Sequence, residues 1–110
     1  MKLPNPDLAV IDDRKLAGYS LNLDHDEGKH KARVLKAALD MDVSHLEELK
    51  QALCSAIETY DAVPTARNAY GQKYVIDFPL TQDDKTAIIH SVCIVKDNEK
   101  FPRLITCYVL

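Results

Sequence analysis

The sequence predicts an α+β domain in which N-terminal helices pack on one face of a C-terminal antiparallel β-meander, giving two layers. Two changes of rhythm predict it. In the first half, Leu46, Leu49, Leu53, Ala56 or Ile57, and Tyr60 recur at the three- and four-residue steps of an amphipathic helix. In the second half, Tyr74, Ile76, Phe78 and Leu80 alternate with Lys73, Val75, Asp77 and Pro79, the period of a half-buried strand. Short polar connections between the later runs select antiparallel pairing.

Each element has its own signal. Leu8 to Ile11 is a short apolar run, and Asp12 or Asp13 can cap a brief helix through Leu16 and Tyr19 before a polar break at Asn22. Asp24-His25-Asp26-Glu27-Gly28 places acids where a helix dipole favours them, so a helix is expected from Lys29 to about Asp40. On it His30, Val34, Ala37 and Met41 share one face, read as inward, and Lys29, Arg33 and Lys36 form a basic stripe on another. Ser44-His45-Leu46-Glu47 has capping-box spacing, so a second helix starts there and stops before Pro64. Thr65 to Gln72 reads as loop. A strand follows over Tyr74 to Leu80, Asp83-Asp84 marks a turn, Thr86 to Val95 is the next strand, Lys96 to Pro102 connects, and Leu104 to Val109 is the last.

The chain has 110 residues, 46% of them hydrophobic and 28% charged, which fits one domain (1–110) with one core. No internal repeat is visible. The first residues lack the apolar stretch of a signal peptide and no run approaches bilayer length, so the cytoplasm is the expected location and no membrane partner is expected. Cys54, Cys93 and Cys107 form no C-x-x-C pair, and an odd number leaves a thiol free, which fits a reducing compartment. Each lies in an apolar run, where a free cysteine acts as a small buried hydrophobe. A net charge of −3 does not favour nucleic-acid binding by long-range attraction, so any such site must be a local basic patch.

The groups able to carry chemistry are few. Arg103, Thr106 and Tyr108 lie on the last strand, which strict alternation splits: Leu104, Thr106, Tyr108 and Leu110 face one way, Arg103, Ile105, Cys107 and Val109 the other. A bulge at the strand start could redirect Arg103. His30 sits near a helix N-terminus, which disfavours the imidazolium, so it reads either as a neutral base or as a histidine bonded at the core edge. His90 alternates with Ile88, Val92 and Ile94 and either faces a cleft or finds a partner on the sheet surface. Lys29 and Arg33 are available to bind a substrate. Tyr74 is read as core, with Asp77 on the opposite face. His25, Asp26, Glu27 and His30 are potential metal ligands, but their spacing matches no established motif, so no metal is assigned. There is no phosphate-binding glycine loop, no Ser-His-Asp ordering and no zinc cysteine pair, so no cofactor is expected.

Several stretches together resemble an uncharacterised family of short bacterial domains, sometimes found in toxin-like contexts. They are Ala9-Val10-Ile11-Asp12 with Lys15-Leu16, Gly28 to Leu35, Tyr70 to Leu80, and Phe101 to Val109. More remotely, a Lys-His pair on a helix and Thr-x-Tyr in the last strand resemble the barnase, EndoU, colicin and RelE nucleases. That resemblance implies metal-independent RNA cleavage by the ribose 2′-hydroxyl, with His30 as base or acid. Lys31 or Arg103 would stabilise the phosphorane charge, and Thr106 and Tyr108 would bind phosphate or donate a proton. RNA is then the expected partner. The competing expectation is a non-catalytic binding module, an immunity- or antitoxin-like protein whose acidic surface meets a basic partner.

Overall fold

The computed structural model describes residues 1–26 and 28–110. Helices α1 (Asp13–Lys15), α2 (Lys29–Leu39) and α3 (Leu46–Thr59) precede strands β1 (Val63–Arg67), β2 (Gly71–Gln82), β3 (Lys85–Lys96) and β4 (Pro102–Val109). The strands form one antiparallel sheet in the order β1-β2-β3-β4, and helices cover one face of it, so the expected α+β two-layer meander is the fold. The core joins Leu16, Leu35, Leu39, Leu49, Leu53 and Ile57 to Ile76, Phe78, Ile89, Cys93, Leu104 and Cys107. No helix among the described residues is long and apolar enough to cross a membrane.

The sheet has four strands rather than three. Val63–Arg67, read as helix end and loop because of Pro64, pairs with β2 through Val63↔Val75 and Pro64↔Tyr74. Proline is tolerated because β1 is an edge strand, where one backbone N–H is dispensable. β2 and β3 run in register for their whole length, from Gly71↔Lys96 to Gln82↔Lys85, around the turn at Asp83, whose φ of 55° an aspartate tolerates.

The inward face of α2 is Ala32, Leu35 and Leu39, whereas His30 is exposed and Val34 is 46% exposed. The expected stripe through His30, Val34, Ala37 and Met41 is therefore corrected. Met41 is buried, but it lies beyond the helix end, where Asp40 adopts the left-handed conformation. Counting helical steps back from a residue outside the helix selects a false stripe. The cap of α3 is corrected too. Asp42 accepts from the Ser44 N–H, and His45 Nδ1 accepts from the Asp42 N–H, so the reciprocal box lies two residues earlier than Ser44 and Glu47. Tyr60, assigned to the buried stripe of α3, follows the helix and is 38% exposed.

On β4 the alternation breaks. Val92 pairs with Thr106 and Cys93 with Leu104, so Ile105 is an extra residue, a bulge. Leu104 and Cys107 then both face the helices, while Arg103, Thr106 and Tyr108 fall on the open face. The assignment of Arg103 and Thr106 to opposite faces is thereby overturned, as is that of Leu104 to the face of Thr106. The free edge of β4 is partly occupied by the N-terminal segment: the Val10 N–H donates to the Pro102 carbonyl (2.9 Å), and the Leu104 N–H donates to the Val10 carbonyl (3.0 Å).

Candidate functional site

Beyond Val10, the chain leaves the β4 edge and folds over it, and a groove opens between the two. Asp12 caps α1 by accepting from the Arg14 N–H (2.9 Å). α1 then widens into a π-type turn over Leu16–Ser20, in which the Leu21 N–H donates to the Leu16 carbonyl. Such turns are rare and recur at functional sites. Buried Leu16 and Ser20 hold the turn down, and the Ser20 hydroxyl donates to the Cys107 carbonyl of β4 (3.2 Å). Tyr19 projects beside it. Gly28, at the start of α2, lies so close that a Cβ there would sit 2.6 Å from the Tyr19 carbonyl oxygen, so only glycine lets α2 begin against this turn.

The groove has a volume of about 660 Å³ and is lined by Asp12, Arg14, Lys15, Gly18, Tyr19, His25, Lys31, Ile105 and Thr106. Three cations thus meet one carboxylate, in a protein of net charge −3. The carboxylate is already engaged: Arg14 grips Asp12 through Nε and Nη2 (2.8 Å for Nη2), which holds the Asp12 carboxyl down at about 2.

Lys31 stands at the centre. Its ammonium lies 4.8 Å from the ring centroid of Tyr108 and 5.2 Å from that of Tyr19, and no described carboxylate pairs with it. Ring faces attract a cation without neutralising it, so Lys31 keeps its full charge for a third group. That charge is also felt at Cys107, where burial raises the thiol to about 11 while the Ser20 hydroxyl and Lys31 pull the other way. Thr106, also on the groove wall, has a hydroxyl that is shielded from solvent and has no hydrogen-bond partner among the described residues. A buried hydroxyl without a partner is costly and calls for an explanation.

The open face of the sheet continues the site. Asp77, His90 and Tyr108 stand side by side on β2, β3 and β4, since each is the direct cross-strand partner of the next. His90 Nδ1 lies 2.7 Å from Asp77 Oδ1, and the His90 and Tyr108 rings are 4.9 Å apart. At the other end, the His25 ring meets Tyr19 edge-on at 4.9 Å, and His25 Nδ1 accepts the Gly28 N–H (2.9 Å).

Of the residues singled out from the sequence, Lys31, Thr106, Tyr108 and His90 come together around this β4 edge. His30 does not line the groove; one position along α2 from Lys31, it is turned to solvent. Arg103 shares the open face, but its guanidinium is held by both oxygens of Glu99 (2.7 Å each) and stacks on Phe101, away from the groove lining. Lys29 and Arg33 do not line the groove either. Of the metal-ligand set, Glu27 lies outside the described residues, and among those described no group of three or more His, Cys, Asp or Glu side chains is placed to hold an ion. The sequence alone does not single out Arg14, Lys15 or Tyr19 as site residues, and it reads Asp77 only as lying on the face opposite Tyr74. The Lys15-Leu16 motif beside Asp12 pointed to the right segment without revealing its position against β4.

Comparison with known proteins agrees with this fold. Residues 2–110 match the profile of a family described as a domain of unknown function, DUF6883. No curated protein matches the chain in sequence. Among solved structures, one chain of a contact-dependent growth inhibition toxin–immunity protein complex from Klebsiella pneumoniae 342 is similar, with a TM-score of 0.69 and 14% identity, covering 94% of this chain and 95% of that one. At that identity the likeness shows the fold alone.

Proposed function

Starting from a chain that belongs to the DUF6883 family, we propose that it is a small metal-independent ribonuclease of toxin type, acting in the groove along the β4 edge. The observation that carries this reading is an uncompensated ammonium, Lys31, on the same groove wall as the unpartnered Thr106 hydroxyl. Cleavage of RNA by its own 2′-hydroxyl needs a base, an acid and a cation for the phosphorane charge, and no metal. Lys31 supplies the cation. One χ1 rotation turns the Thr106 hydroxyl toward a non-bridging phosphate oxygen, which gives it the acceptor it lacks. Arg14 and Lys15 bind flanking phosphates, and His25, anchored through its Nδ1 by the Gly28 N–H, lines the groove beside them. Likeness in fold to one chain of a toxin–immunity protein complex supports a place on one side of such a pair.

The test is incubation of the purified chain with mixed RNA in EDTA. Cleavage is expected, with a loss of about 10²–10³-fold in Lys31→Ala and no change in His30→Ala, since His30 lies outside the groove. Intact RNA at high protein concentration removes the proposal. A second reading, a non-catalytic immunity-like partner, is favoured by the net charge of −3 and by Val63 and Ile88, which are 61% and 42% exposed. Under that reading RNA stays intact and the protein instead blocks a basic toxin.

A further inference from the structure

We propose that His90, held by Asp77, is the general base of this site, and that RNA therefore crosses the β4 edge from the groove onto the open face of the sheet. This inference rests on the ribonuclease reading above. It begins with the tautomer. A carboxylate only accepts, so at 2.7 Å from Asp77 Oδ1 the His90 Nδ1 carries a hydrogen, and in the neutral ring the lone pair is on Nε2. His25 and His45 are the reverse, because their Nδ1 atoms accept backbone N–H groups from Gly28 and Asp42. His90 is thus built to take a proton at Nε2.

Position supports the same role. Tyr108 touches both partners, with the His90 ring at 4.9 Å and the Lys31 ammonium at 4.8 Å, so base and cation flank one side chain. Asp77, His90 and Tyr108 come from directly paired positions on three hydrogen-bonded strands, a rigid support that fixes their spacing. The groups facing His90 are Asp77 from β2 and Tyr108 from β4, with Lys31 of α2 beyond Tyr108. His90 is 19% exposed and Asp77 43% exposed, so the pair sits at the sheet surface with the imidazole largely enclosed and its orientation fixed by the carboxylate.

The step balances as follows. His90 Nε2 takes the 2′-hydroxyl proton as the 2′-oxygen bonds to phosphorus. The bond from phosphorus to the 5′-oxygen breaks, and that oxygen takes a proton from water. The hydroxide left behind is neutralised by the His90 imidazolium. The products are a 2′,3′-cyclic phosphate and a 5′-hydroxyl, and His90 is neutral again. Asp77 touches no substrate and acts as a positioning residue.

The experiment measures cleavage of a short RNA, with its end groups identified, by wild type, His90→Ala, His90→Gln and Asp77→Asn, each checked for an unchanged melting temperature. Expected are a 10²–10⁴-fold loss in both His90 variants, partial recovery of His90→Ala by free imidazole, and a lower kcat with unchanged KM in Asp77→Asn. Wild-type activity in His90→Gln overturns the inference and leaves the ribonuclease reading standing. So does a loss in His90→Ala that imidazole fails to restore. An inactive wild type removes the ribonuclease reading itself, and this inference with it.

Discussion

The two faces of the sheet are made from the same strands and follow different rules. The covered face carries Ile76, Phe78, Ile89, Cys93, Leu104 and Cys107, each at most 5% exposed and packed under α2 and α3. The open face carries Asp77, His90, Thr106 and Tyr108, whose polar atoms are paired with one another, with the helix edge, or with nothing. The first face spends its residues on removing apolar area from water, and the second keeps polar groups in fixed positions at little gain in stability. The pleat alone separates them, so one residue inserted in one strand suffices to reassign groups between the faces. Ile105 is that residue.

Placing a charge on the covered face is the most severe way to test the division. Leu104→Asp would bury a carboxylate among the apolar side chains under the helices; the expected result is loss of cooperative folding, or a cost on the order of 5 kcal/mol, read by urea denaturation. A result within 1 kcal/mol of wild type would mean that the strand slides to absorb the change.

Truncating the covered face comes next. Ile89→Ala, at a fully buried position, is expected to cost about 2–5 kcal/mol in the same measurement.

Alkali should also act through the covered face. Burial raises the Cys93 thiol to about 12 and the Cys107 thiol to about 11, against a value near 9 in the unfolded chain. Between those limits the unfolded state has released protons that the folded state retains. Stability is therefore full below about pH 9 and falls as pH rises toward 11–12. Cys93→Ala with Cys107→Ala should flatten that slope in melts taken across the range, and an unchanged slope would assign it to other groups.

The smallest change in stability and the sharpest in function are expected on the open face. Thr106→Val replaces an unpartnered hydroxyl with a methyl group of similar size, so the melting temperature should stay level or rise, by an amount worth about 1 kcal/mol or less, while RNA cleavage falls. Loss of stability in this variant would mean that the hydroxyl has a structural partner after all.

How far the site was legible follows from particular residues. Lys31, Thr106, Tyr108 and His90 could be singled out because each is a polar group within a regular element predicted from its period. His30 drew attention through its neighbour, since position 30 and position 31 differ by a hundred degrees around the helix and Met41 suggested the wrong origin for the count. Arg103 was misplaced by an invisible bulge and is in any case occupied by Glu99. Tyr19 and Arg14 matter only because a π-type turn lays them over β4, and β1 was hidden by the proline that an edge strand accepts.

By itself the sequence determined the helices, three of the four strands, their order and the two-layer arrangement, because helical and strand periods are local and a buried face writes one into the chain. Only the tertiary structure decided which residues of α2 and β4 meet. That depends on where α2 stops, at Asp40, and on one extra residue in a cross-strand register. Both are set by packing between segments far apart in the chain, and neither leaves a trace in a local pattern.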